Sequence, residues 1–162
     1  MRLALIGFLA VCVILSAYTI YWLDHPPLVS DGTGRTMDKR VVLVEVGNRS
    51  HVAKIQLKEV LVNDRSRPAK AMVEESNWQQ GFIVSDHFDG EEEAKYRFKD
   101  LDEVSLQTAS DSLGIQAKVD KGIDSKDIKT YAILVSDDET IEKVTLKYRY
   151  LWFTYEKTVI VK

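Results

Sequence analysis

VTLKYRYLW, residues 144–152, sets Val144, Leu146, Tyr148, Tyr150 and Trp152 on one side of the chain and Thr145, Lys147 and Arg149 on the other. A period of two marks a half-buried β-strand, because successive side chains point to opposite faces. Tyr155 to Val161 follows closely enough to return beside it. The tetrapeptide between them, Tyr150-Leu151-Trp152-Phe153, holds none of the Gly, Asn or Asp that tight hairpins favour. Either packing forces this turn, or an apolar tip stands exposed for a partner or a membrane. Leu151, Trp152 and Phe153 are therefore candidate binding-surface residues.

The same grammar recurs toward the N-terminus. Tyr131 to Val135 is apolar on both faces, as a central strand is. Leu113, Ile115, Ala117 and Val119 alternate and predict another strand. Val104 to Thr108 and Ala94 to Leu101 add two more, although Ala94, Phe98 and Leu101 also sit at helical spacing. Gly81 to Ser85 is a further short strand, and Lys70 to Glu74 a short edge strand. Val52 to Val62 shifts its inward parity between Ile55/Leu57 and Val60/Val62, which predicts a bulge near Glu59. Arg40 to Val46 is the first of the series, turned by Asn48-Arg49-Ser50. Roughly seven to nine short strands without a long amphipathic helix predict an all-β domain over 40–162, an antiparallel immunoglobulin-like β-sandwich.

Leu3 to Leu23, LALIGFLAVCVILSAYTIYWL, is of another kind. These 21 residues carry no charge. As a helix they extend about 31 Å, the thickness of a bilayer's hydrocarbon core. Residues 1–23 thus read as a single transmembrane signal anchor. Arg2 and the terminal amine precede the run, and Asp24 and His25 follow it. That asymmetry predicts a cytoplasmic N-terminus and an extracellular domain. Arg2, Tyr18, Tyr21 and Trp22 read as membrane-interface anchors, the rings settling among headgroups. A cleaved signal peptide would have a shorter apolar core and an A-x-A site, for which Ser16-Ala17-Tyr18 is a poor match. Leu9-Ala10-Val11-Cys12 resembles a lipobox only in part, since Val11 stands where a small residue is usual. Gly7 has Val11, not a small residue, four positions on, so close helix pairing lacks its pattern. Residues 24–39, with Pro26-Pro27, Asp31-Gly32 and Thr33-Gly34, read as a stalk.

All 25 acidic residues lie beyond residue 23 with 21 of the 22 Lys and Arg, a formal charge of −4 on that part. Such a balance offers no general attraction to nucleic acid or anionic lipid. Cys12 is the only cysteine, so the domain beyond the anchor stands on packing without disulfides. This fits a Gram-positive cell surface.

Tyr131-Ala132-Ile133-Leu134-Val135-Ser136-Asp137 and Ile141-Glu142-Lys143-Val144-Thr145-Leu146-Lys147-Tyr148-Arg149-Tyr150-Leu151 resemble the last strands of small surface-anchored proteins of Gram-positive bacteria with an immunoglobulin-like domain. Phe98-Lys99-Asp100-Leu101-Asp102, with Val104 to Leu106, is similar to an upstream segment of such proteins. The resemblance implies a fold and a location. It carries no activity and no site residues.

The polar residues give few leads to chemistry. His25, His51 and His87 lie far apart, without metal-site spacing. Ser85, Asp86 and His87 are triad types, but neighbours on a strand point apart. Asp86, Asp89, Glu91, Glu92 and Glu93 form an acidic loop that lacks EF-hand spacing. Arg65, Arg67 and Lys70 flank Pro68 and read as a solvated loop tip or a contact for an anionic wall polymer or lipid headgroup. Trp78 sits among polar residues, either as a platform for a sugar or partner or as a cap on the core. The resulting expectation is a non-enzymatic, membrane-anchored extracytoplasmic binding module that needs no cofactor and no metal. It would dock through a sheet edge or the aromatic tip to a membrane-protein or envelope-polymer partner. The alternative is an enzyme or accessory subunit acting on envelope polymers, with loop carboxylates near Trp78.

Overall fold

A computed structural model describes residues 2–85 and 93–162, with the side chains of 2–6, 19 and 22–24 left out. The side chains of Arg2 and Trp22, and the loop residues Asp86, His87, Asp89, Glu91 and Glu92, lie outside the described residues. The chain opens with helix α1 (Arg2–Asp24). Among the described residues nine strands follow: β1 (Leu28–Arg35), β2 (Val41–Asn48), β3 (Ile55–Val62), β4 (Lys70–Asn77), β5 (Arg97–Lys99), β6 (Ser105–Leu106), β7 (Lys129–Ser136), β8 (Lys143–Tyr150) and β9 (Phe153–Ile160). A short α-helix, α2 (Ser112–Asp120), and a 3-10 turn (Ser125–Asp127) sit between β6 and β7. Among the described residues, which leave out the side chains at both ends of α1, no helix is long and apolar enough to cross a membrane.

The strands form two antiparallel sheets, β1-β2-β7-β4-β5 and β6-β3-β8-β9. One shared core joins them. Val42, Val44 and Val46 of β2, Val73 of β4 and Ile133 and Val135 of β7 face Ile55, Leu57, Val60 and Val62 of β3 and Val144, Leu146, Tyr148 and Tyr150 of β8. Burying one such side chain stabilises by about 1.5–3 kcal/mol. The period-two pattern of β8 is therefore the sequence trace of this core. The register of β3 on β8 slips between Leu57 and Glu59, where the parity shift places a bulge.

Four expectations need correction. Residues 28–35 are not stalk: they pair with β2 from Leu28↔Asn48 to Arg35↔Val42. Only Leu28 of that strand is fully buried, so backbone pairing rather than hydrophobic patterning makes it a strand. Leu113 to Val119 is not a strand but α2. Asp111 caps the helix, its carboxylate accepting from Gly114 N at 3.1 Å. Gly114 lies so near Ala109 that an added Cβ would stand 2.5 Å from its carbonyl oxygen. This local capping and packing override the alternation, and Leu113 stays exposed. Gly81 to Ser85 is an irregular strap, not a strand. It packs Phe82 and Val84 on a second cluster, Val41, Leu43, Ala132 and Leu134, on the outer face of the five-stranded sheet. Moreover, β4 is not an edge, because β5 pairs outside it.

Candidate functional site

The strap and α2 border a cleft of about 310 Å³ on that outer face. Its floor exists because β1 brings glycine there. Gly32 lies opposite Glu45 and Gly34 opposite Leu43. A Cβ at Gly32 would sit 3.2 Å from the Glu45 carboxylate, and one at Gly34 would sit 2.8 Å from Cγ2 of Val84. The register of β1 slips between Ser30 and Gly32. Asp31, at the slip, accepts from Ser112 Oγ at 2.7 Å and from Ser112 N at 3.1 Å. One carboxylate thus links β1 to the start of α2.

The other wall is a built turn. Asn77 Oδ1 accepts from the backbone N–H groups of Gln79 and Gln80 at 3.0 and 2.9 Å. Ser76 Oγ donates to the Gly81 carbonyl at 2.6 Å, and Gly81 turns with φ +72°. Trp78, held by its N–H on the Ile128 carbonyl at 3.0 Å, is pushed outward at the cleft's rim. It is 51% exposed, so it does not cap the core. Asp31, Glu45, Asn77, Thr33 and Thr130 supply polar groups, and neither Lys nor Arg lines the cleft among the described residues. Thr130 Oγ1 is buried there without a hydrogen-bond partner.

Two acids beside the cleft behave differently. Glu74 lies beneath the strap, fully buried, its carboxylate accepting from Ile83 N at 3.1 Å. Burial pushes its pKa up to about 7, and the Ile83 hydrogen bond only partly opposes this. Glu75 is also shielded, but Lys129 at 3.0 Å and Lys99 at 3.4 Å outweigh that burial and hold its carboxyl below the usual range.

The hairpin tip resolves into two parts. Leu151 adopts φ +54°, a left-handed conformation costing about 1–2 kcal/mol for an ordinary residue. It does so because its side chain packs on the core. Trp152 points away and is 86% exposed. Phe153 sits edge-on to Tyr155 with ring centroids 6.4 Å apart. Packing forces the turn, and an aromatic side chain is still left in solvent. The tip and Trp78 are not brought together: they belong to different sheets. In α1, Tyr18 and Tyr21 are exposed, and Tyr21 stacks on His25 at 4.8 Å.

The loop arginines are engaged. Arg65 grips Glu156 with two nitrogens at 2.9 and 3.0 Å, and Arg67 meets Glu59 at 3.2 Å. Among the described residues no group of three or more His, Cys, Asp or Glu is arranged to hold a metal ion. Asp31, Glu45 and Thr130 escaped the sequence reading, because only the fold brings β1, β2 and β7 side by side. The Asp-Gly-Thr-Gly run of β1 was the one local signal. No protein-family model, curated protein or solved structure matches the chain.

Proposed function

We propose that this chain is a membrane-anchored extracytoplasmic binding module whose Trp78 cleft takes a hydroxyl-rich, neutral or amine-bearing unit of an envelope polymer. The observation that carries this is the half-exposed Trp78 over a cleft with two carboxylates, hydroxyl and amide groups and, among the described residues, no lining cation. An aromatic face beside such groups suits the apolar face and hydroxyl rim of a sugar. Lining acids without cations disfavour a phosphate-bearing polymer.

The fold and the anchor support the setting. Taken in chain order, the strands β1-β2-β7-β4 and β3-β8-β9 correspond to the ABED and CFG sheets of an immunoglobulin-like sandwich. The segment with β5, β6 and α2 would then be an insertion between the fourth and fifth strands. The 23 residues of α1 make a helix of about 35 Å. Between Arg2 and Asp24 it carries no charge, which supports a spanning anchor with the domain outside.

Two carboxylates in one cleft also favour the enzyme reading. Asp31, however, is occupied by Ser112, and Glu74, the acid tuned near neutrality, is sealed beneath Ile83. Binding is the better account. Titrating the full chain in detergent with tetramers of N-acetylglucosamine and of glucosamine, read by isothermal titration calorimetry, tests it. We expect saturable binding that Trp78→Ala and Glu45→Gln each weaken at least about tenfold, a loss typical of a central aromatic or charged contact. No response to either sugar rejects the cleft. Shortened sugar products would revive the enzyme reading.

A further inference from the structure

We infer that the end of the domain nearest α1 seats on the bilayer itself, with Trp152 in the headgroup layer and a ring of basic residues against anionic lipid. This rests on the reading of α1 as a spanning anchor.

The geometry begins at the junction. Only residues 25–27 separate α1 from β1. Pro27 O accepts from Arg49 N at 3.0 Å, and Pro26 O accepts from Arg49 Nη2 at 3.1 Å. The end of β2 is therefore pinned beside the end of the helix. Ser50 follows at once, and its Oγ lies 2.6 Å from the Tyr150 hydroxyl. Tyr150 is the last residue of β8, and the Leu151-Trp152 turn comes next. Burial raises the Tyr150 pKa, the Ser50 hydrogen bond opposes this, and Tyr18 of α1 adds to the rise. The helix and the hairpin tip are thus neighbours at one end of the molecule.

The chemistry of that end is the chemistry of an interface. Trp152 and Val52, 86% and 63% exposed, offer apolar surface, and Phe153 joins them. Segments 49–56 and 148–155 contain Arg49, Lys54 and Arg149 and no acid, within a domain whose net charge is negative. On the other sheet, the start of β7 is level with the end of β2, since Val46 pairs with Tyr131. There Lys95, Arg97, Lys126 and Lys129 line a hollow of about 240 Å³ with Glu75 as the only acid among its described lining, although Lys129 pairs with Glu75 at 3.0 Å and Lys126 with Asp124 at 3.1 Å. Aromatic side chains ringed by basic ones are the pattern that settles at a lipid–water boundary and prefers anionic headgroups. With only residues 25–27 between α1 and β1, a bilayer around α1 would lie within reach of this end, which favours lipid over a soluble partner.

The test uses the full chain with Trp22→Phe and Trp78→Phe, so that Trp152 is the sole tryptophan. It is placed in vesicles of phosphatidylcholine alone or mixed with phosphatidylglycerol. We expect blue-shifted Trp152 emission, quenching by brominated acyl chains, protection from aqueous iodide, and a larger effect with the anionic lipid. An alkaline carbonate wash reports the anchor separately. If the chain stays in the vesicles but Trp152 emits as in water and iodide quenches it freely, the seating is overturned and the anchor stands. If the chain washes off, both are overturned.

Discussion

The hydroxyl of Tyr150 meets the hydroxyl of Ser50 at 2.6 Å inside the domain, 100 residues apart in sequence. The contact ties the corner after β2 to the last residue of β8. Ser50 Oγ also accepts from Val52 N at 3.0 Å, so the serine fixes the corner as well. Tyr150→Phe keeps the buried ring and removes one partner of a buried pair. The expected loss is about 1–2 kcal/mol, measured by chemical denaturation. Tyr150→Ala should cost more, because it also empties ring volume in the core.

Glu74 predicts how stability depends on pH. Its folded pKa is raised from 4.5 to about 7, so between these values the folded state holds a proton that the unfolded chain releases. The stabilisation is fully present below pH 4.5 and is lost as pH rises through about 7. The loss amounts to about 3 kcal/mol, an upper figure. Glu74→Gln, whose amide oxygen still accepts from Ile83 N, should flatten the profile and melt above the parent at pH values beyond 7. Thermal melts across the range check both.

Gly47→Ala should be costly for a reason visible only in three dimensions. An added Cβ would stand 2.5 Å from Asp111 Cα and 2.8 Å from the Ser110 carbonyl oxygen. Both are backbone atoms and cannot swing aside. Asn48 and Ser110 also exchange bonds here, Asn48 N donating to Ser110 Oγ and Ser110 N to the Asn48 carbonyl, both at 3.0 Å. The expected cost is about 1–3 kcal/mol. Because α2 walls the cleft, weaker binding of the sugar tetramer should accompany it.

The Arg65–Glu156 pair is bidentate but exposed on both sides. Arg65→Ala should lower the melting temperature only slightly, and about 1 M salt should erase the difference from the parent. A large, salt-independent loss would mean that the pair orders the 63–68 loop.

Much of the frame was legible because the frame is what hydrophobic periodicity encodes. Val144, Leu146, Tyr148 and Tyr150 alternate since they line the core, and the bulge announced itself as a parity slip near Glu59. What stayed hidden lacks such a signal. β1, with Gly32 and Gly34, is a strand by virtue of its neighbour. The 113–119 alternation was real in the sequence but weaker than the Asp111 cap and the close fit of Gly114. The cleft draws its polar groups from β1, β2, β7 and α2, so no local spacing marks it. Trp78 was noticed, but a lone tryptophan does not reveal whether a chain covers it.

The shortness of the link between α1 and β1 limits how far the protein can search. Three residues extend at most about 10 Å. The floor of the cleft at Glu45 lies only three rungs, about another 10 Å, above the first rung at Asn48. If α1 spans the bilayer as proposed, the molecule is a fixed low post rather than a tethered float. A ligand would then have to come within a couple of nanometres of the lipid, so the proposed sugar-bearing unit would be one assembled or delivered at the membrane and not one in the distant outer wall.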